Sequence, residues 1–142
     1  MRNFGVIMLM VFLMACKGQS KTQENTVVAV EENTNISEVI KVGAFEQKLN
    51  ELENYTLIDV RTPEETKEGI IEGALLYNYH DSAFKDSLNT LDKTIPTLVY
   101  CRSGGRSGNA AKLMNQLGFK EVYDLAGGIT EWNNQPKPIQ TF

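Results

Sequence analysis

The spacing of hydrophobic positions changes several times along this chain, and each change marks an element. An unbroken apolar run from Phe4 to Ala15 follows Met1, Arg2 and Asn3. A polar stretch comes next, from Lys17 to about Asn35, with one apolar patch at Val27 to Val30. From Ile36 onward, strand and helix periods alternate. Ile36 to Val42 reads as a short strand. Ala44 to Leu52 reads as a helix with Phe45, Leu49 and Leu52 on one face. Thr56 to Val60 is a compact apolar run of the kind that forms a buried parallel strand. Thr62-Pro63-Glu64-Glu65 then opens a helix: Thr62 suits the N-cap, Pro63 the first turn, and Glu65 closes a capping box. Ala74 to Tyr77 predicts another strand, and Ser82 to Leu91 a helix with Phe84, Leu88 and Leu91 aligned. Thr97 to Tyr100 is the strongest strand and runs straight into Cys101. Ser107 to Leu117 predicts a helix that Gly118 stops. Val122 to Leu125 is a last strand, and Gly128 to Asn133 a short helix carrying Trp132. Strands alternating with helices predict an α/β fold with a parallel sheet.

The start of the chain has a different character. The run from Phe4 to Ala15 is twelve residues, and a spanning helix needs about 20. A basic start, a short apolar core and a small residue at its end describe a secretory signal peptide over residues 1–15. Leu13-Met14-Ala15-Cys16 resembles the bacterial lipobox, with Met14 where smaller residues are commoner. That resemblance implies cleavage before Cys16 and lipid on its sulfur, anchoring the protein to a membrane without spanning it. Residues 16–35 are then expected to be a flexible tether, and 36–142 the globular domain. The implied location is the bacterial cell envelope, at the inner or outer membrane, with the domain facing the periplasm or the exterior.

Charge and composition exclude several functions. The formal net charge is −4, with no block of basic residues, which excludes a nucleic-acid binder that works by neutralising phosphates. Two Cys and one His exclude a Cys/His zinc cluster and a disulfide-rich scaffold. No metal or other cofactor is expected. His80, the sole histidine, has no surrounding carboxylate pattern, and Trp132 reads as a core anchor.

The chemistry is concentrated in Cys101-Arg102-Ser103-Gly104-Gly105-Arg106-Ser107, between a strand's carboxyl end and a helix's N-terminus. In open α/β sheets, ligands bind there. Two glycines let the backbone curl through conformations closed to other residues. A tight curl turns successive N–H groups inward as an anion nest, and the helix adds the positive end of its dipole. Arg102 and Arg106 add full positive charge. A cysteine opening such a cup is expected to have a depressed pKa and to act as a nucleophile without a histidine base. Asp59 and Arg61 end another strand near this loop. They read as structural support: Asp59 as a buried acid bonding loop amides, Arg61 as the partner of a helix acid such as Glu64.

These segments resemble the rhodanese family of sulfurtransferases, in its single-domain form, over roughly Ser37 to Lys137. Four motifs in order carry the resemblance: Leu57-Ile58-Asp59-Val60-Arg61 with Glu64, Gly69 to Ala74, Cys101 to Ser107, and Leu125 to Ile129 with Trp132. The chain departs from the family at Ile70 and Glu72, where His and Pro are common. The resemblance implies three layers, with helices flanking a central parallel sheet of about five strands. It also implies a mechanism. Cys101 takes the outer sulfur of a donor such as thiosulfate, becomes a persulfide, and yields that sulfur to an acceptor such as cyanide, a thiol or a partner protein. Arg102 would draw anionic donors at the pocket mouth. Arg106 would do the same or tie down the loop. Gly104 and Gly105 would permit the cup. Ser103 and Ser107 would bring hydroxyls to the sulfur, helix capping being an equal reading for Ser107. Related phosphatases and arsenate reductases place Arg six positions after Cys. Here Arg106 is five positions after Cys101, a smaller cup that suits one transferable sulfur. Two other readings use the same domain: a binding module without turnover, and a carrier that passes persulfide sulfur to a partner. Cys101 argues against the first.

Overall fold

A computed structural model of the chain describes residues 35–142. The expected signal peptide, the lipid-bearing Cys16 and the tether up to residue 34 lie outside the described residues. Five parallel strands form one sheet: β1 (Ile36–Ile40), β2 (Thr56–Asp59), β3 (Leu75–Leu76), β4 (Thr97–Tyr100) and β5 (Glu121–Leu125). Their order is β1-β5-β4-β2-β3. The helices are α1 (Val42–Glu51), α2 (Pro63–Thr66), α3 (Phe84–Asn89), α4 (Gly105–Gln116) and α5 (Gly128–Asn134). Side chains alternate across the sheet with period two. Ile58, Val99 and Val122 pack with Phe84, Leu88, Ala110 and Met114 of α3 and α4. Leu57, Leu98, Tyr100 and Leu125 pack with Phe45 of α1 and Trp132 of α5. The sheet is therefore the middle of three layers. Every residue of β4 is buried, which explains the apolar run that follows Thr97.

Several boundaries differ from the periodicity. β1 ends at Ile40, because extended Lys41 is the N-cap of α1 and Val42 turns into the core. β3 keeps two residues, both exposed at the sheet edge. α3 is shorter than expected, since the Asp81 carboxylate and carbonyl hold the turn before it, accepting from Ala83 N and Phe84 N. α4 begins at Gly105, two residues before the expected start. Gly104, left-handed at φ 102°, is its N-cap, so Gly105, Arg106 and Ser107 of the Cys101 loop are already helix. The predicted capping box forms in α2: Glu65 N donates to Thr62 Oγ1 and Thr62 N to Glu65 Oε2. At Ile70 the chain exchanges two backbone hydrogen bonds with Gln140, at 2.9 and 2.8 Å, so the C-terminal segment braces this turn.

Candidate active site

Pairing of Asp59 with Tyr100 and of Val99 with Asp124 brings the carboxyl ends of β2, β4 and β5 together. Cys101 follows β4 at this edge and is buried. Its Sγ accepts a hydrogen bond from Gly104 N at 3.1 Å and one from Ser107 Oγ at 3.5 Å. Burial pushes the thiol up. The Ser107 hydroxyl and the amides of Ser107, Gly104 and Ser103 outweigh burial and bring it below the ordinary thiol value. The Gly104 amide and the Ser107 hydroxyl thus both point at the sulfur. Ser107 lies inside α4 and caps nothing. Its hydroxyl donates to Sγ or to the Gly104 carbonyl, 3.2 Å away.

The two loop arginines are placed differently. Arg102 is exposed and lines a cavity of about 310 Å³ with Arg61, Glu65, Thr130 and Asn133. Arg106 ties the loop down: Nη1 and Nη2 donate to Glu65 Oε2 and Oε1 at 2.6 and 2.7 Å. Its charge also stands near the Cys101 sulfur. The Arg106 hydrogen bonds hold the Glu65 carboxyl at about 2.

Asp59 and Arg61 are paired with each other, whereas Glu64 is the partner expected for Arg61. Both are buried, and they bind each other. Arg61 Nη2 donates to Asp59 Oδ2 at 2.7 Å, and Arg61 N and Nε donate to Asp59 Oδ1 at 3.0 Å. The guanidinium also donates to the carbonyls of Glu65 and Gly69, which pins α2 and the following turn against β2. Glu64 is exposed and takes no part. Trp132 is a core anchor, edge-on to Phe45 with centroids 6.2 Å apart. His80 is exposed, and among the described residues no cluster of His, Cys, Asp and Glu could hold a metal.

Residues 42–135 match the Rhodanese-like domain. The chain belongs to that family. YtwF of Bacillus subtilis is 37% identical over 99 residues, covering 70% of this chain and 93% of YtwF. A sulfurtransferase of Allochromatium vinosum is 34% identical over 96 residues, covering 68% and 88%. Among solved structures, a rhodanese-related protein of Thermoplasma volcanium superposes with a TM-score of 0.65 at 26% identity, covering 74% of this chain and 99% of its own. The general kind of activity is thus that of the sulfurtransferase and sulfur-carrier family.

The placement of three residues of this rhodanese-like domain is not evident from its sequence. Gly128, at φ 60°, passes so close to the loop that a Cβ there would stand 2.4 Å from the Cys101 carbonyl oxygen. Beyond it, Ile129 N donates to the Cys101 carbonyl, while Thr130 N and Oγ1 donate to that of Arg102. The Gly127-Gly128 pair is the available signal. Glu65 is legible as a cap but not as the partner of Arg106, 41 residues away. Asp124, buried in the strand beside β4, gives no signal beyond an acid in an apolar run.

Proposed function

We propose that this chain moves sulfane sulfur through a persulfide on Cys101. The observation that carries this reading is the sulfur's place in the cup. Its thiol is lowered by amides and a hydroxyl, without a histidine. The Cys101 thiolate attacks the outer sulfur of thiosulfate, the S–S bond of the donor breaks, and sulfite leaves with the bonding pair. Cyanide or a thiolate then attacks the outer sulfur of the persulfide, giving thiocyanate or a new persulfide and restoring the Cys101 thiolate. Charge balances in both halves, and no net oxidant is needed. The cup amides stabilise the negative sulfur throughout, and Arg102 gathers the anionic donor. Phosphate chemistry is disfavoured, because both Nη atoms of Arg106 are engaged by Glu65 instead of forming a free fork for an oxyanion. We further propose that Cys16 carries lipid and that residues 16–35 tether the domain at the envelope membrane.

The test is intact mass of the full-length chain with Cys16→Ser, before and after thiosulfate, beside a Cys101→Ser control. The expected gain is one sulfur, about 32 Da, removed by cyanide and absent in the control. A folded, reduced sample that gains nothing overturns thiosulfate as donor. Transfer of label from thiosulfate in the control overturns Cys101 as the carrier.

A further inference from the structure

The face of β1 that turns toward α4 is left open. Val39 of β1 pairs in register with Asp124 of β5, so the two side chains stand on one face of the sheet. Helix α4 covers Asp124, which is 3% exposed, and stops short of Val39, which is 68% exposed. A groove of about 490 Å³ runs between helix and edge strand. Ser37 and Val39 form one wall; Gly108 and Ala111 form the other, and their small size keeps the groove open. Asp124 lines it as well, and its Oδ1 is buried with no hydrogen-bond partner. Its Oδ2 confronts Gly108, where a Cβ would come within 3.4 Å.

A buried carboxylate short of donors is costly, and a cation brought against it offsets that cost. Lys112 of α4 also lines the groove, but it is exposed and forms no ion pair with Asp124. Glu38, the remaining charged residue of the groove, pairs in register with Tyr123 and so alternates to the opposite face of the sheet. A metal ion is poorly matched, since it needs several oxygen ligands and among the described residues no cluster of His, Cys, Asp and Glu could hold one. An organic cation fits better: its charge meets the acid and its carbons meet the apolar walls. We propose that this groove binds an aliphatic primary amine, its ammonium against the Asp124 carboxylate and its hydrocarbon stem along Val39 and Ala111. Ser103 and Gly104 border the groove and Cys101 does not. The bound amine therefore lies beside the peptide whose N–H reaches the Cys101 sulfur, without occupying the place of the sulfur itself.

The probe is n-butylammonium chloride, titrated at constant ionic strength into the full-length chain with Cys16→Ser and followed by amide NMR shifts. Saturable shifts are expected at Gly104, Gly108 and Ala111, with a dissociation constant on the order of millimolar. None is expected with n-butanol, which keeps the stem and lacks the charge. Asp124→Asn removes the anion and is expected to weaken binding about tenfold. Val39→Lys sets a tethered ammonium beside the acid, at an exposed edge position where lysine is well tolerated, and is expected to abolish the shifts. Lys112→Gln removes a repelling charge and is expected to tighten binding about twofold. No saturable shift in the parent overturns the proposal, as does equal binding of n-butanol or a weaker affinity in Lys112→Gln. Unchanged affinity in folded Asp124→Asn overturns it too. If Asp124→Asn fails to fold, unchanged binding in Val39→Lys still does so. The titration contains no sulfur donor, so its failure is distinguishable from a failure of Cys101 to gain sulfur.

Discussion

Arg106 and Glu65 grip each other through two parallel hydrogen bonds of 2.6 and 2.7 Å, joining the Cys101 loop to a helix that follows another strand. Glu65 also caps α2 by accepting from Thr62 N at 2.9 Å. One carboxylate thereby fixes the start of a helix and the flank of the Cys101 loop. Arg106 thus brings its charge to the sulfur with its own orientation fixed by Glu65.

Replacing Glu65 by Gln should loosen the loop more than it destabilises the fold. Both side chains are about one-fifth exposed, so solvent screening limits the stability loss to about 1 kcal/mol. Sulfur-transfer kcat/KM should fall about tenfold through misplacement of the cup. The carboxyl's ordinary value of 4.5 is depressed to about 2 in the fold. A depressed acid stabilises the fold fully above its unfolded value and loses that contribution as pH falls through its folded one. The stability gap between wild type and Glu65→Gln should therefore be constant above about pH 5 and close towards pH 2. Urea unfolding at several pH values checks it, and a gap that persists at pH 2 would contradict the pairing.

Gly128→Ala should be severely damaging, for two separable reasons. A left-handed residue with a Cβ costs about 1 kcal/mol, and this Cβ would meet the Cys101 and Arg102 backbone within 2.6 Å. Gly73, at φ 81° with nothing within 4 Å of the place a Cβ would take, isolates the first cost. Gly73→Ala should lose about 1 kcal/mol and keep its activity. Gly128→Ala should lose about 3 kcal/mol or more and alkylate at Cys101 with an altered rate. Equal losses in the two variants would show that the close approach carries no energy.

How much of this is legible in the sequence follows from the range of each interaction. The five strands, if not all their ends, and α2 with its capping box are local consequences of spacing and Pro63; of the two loop glycines only Gly104 takes the left-handed backbone expected of both, while Gly105 is an ordinary helical residue. Side-chain pairings, whether distant like Arg106 with Glu65 or a choice among near neighbours, are not legible. Spacing offers Glu64 to Arg61, but the buried guanidinium instead takes Asp59, two residues back along the chain. Helix α4 starts early because a left-handed Gly104 permits it, and periodicity does not register backbone handedness. The burial of Asp124 is not legible because it depends on which helix covers β5.

Asp59→Ala should cost about 3–5 kcal/mol, because it strands the buried Arg61 charge. Arg61→Met should cost a similar amount for the converse reason. The pair together, replaced by apolar residues of matching volume, should recover much of that loss. Denaturant unfolding of the two single variants and the double variant measures the coupling. Additive losses would mean that each residue acts through its other partners, the carbonyls of Glu65 and Gly69.

Arg102 tests the division of labour within the loop. Its side chain is exposed and lines the cavity beside the cup, while its carbonyl is held by Thr130. Arg102→Ala leaves that carbonyl contact in place, so the fold should be unaffected. The loss should fall on capture of an anionic donor. KM for thiosulfate should rise about fivefold with kcat little changed, the pattern of a removed ground-state contact. Because the attraction is between exposed charges, raising salt should weaken wild-type capture towards that of the variant. Arg102→Lys keeps the charge and should retain most of the capture. Steady-state kinetics at low and high salt decide it. A fall in kcat at unchanged KM would move Arg102 from gathering the donor to stabilising the transferring sulfur.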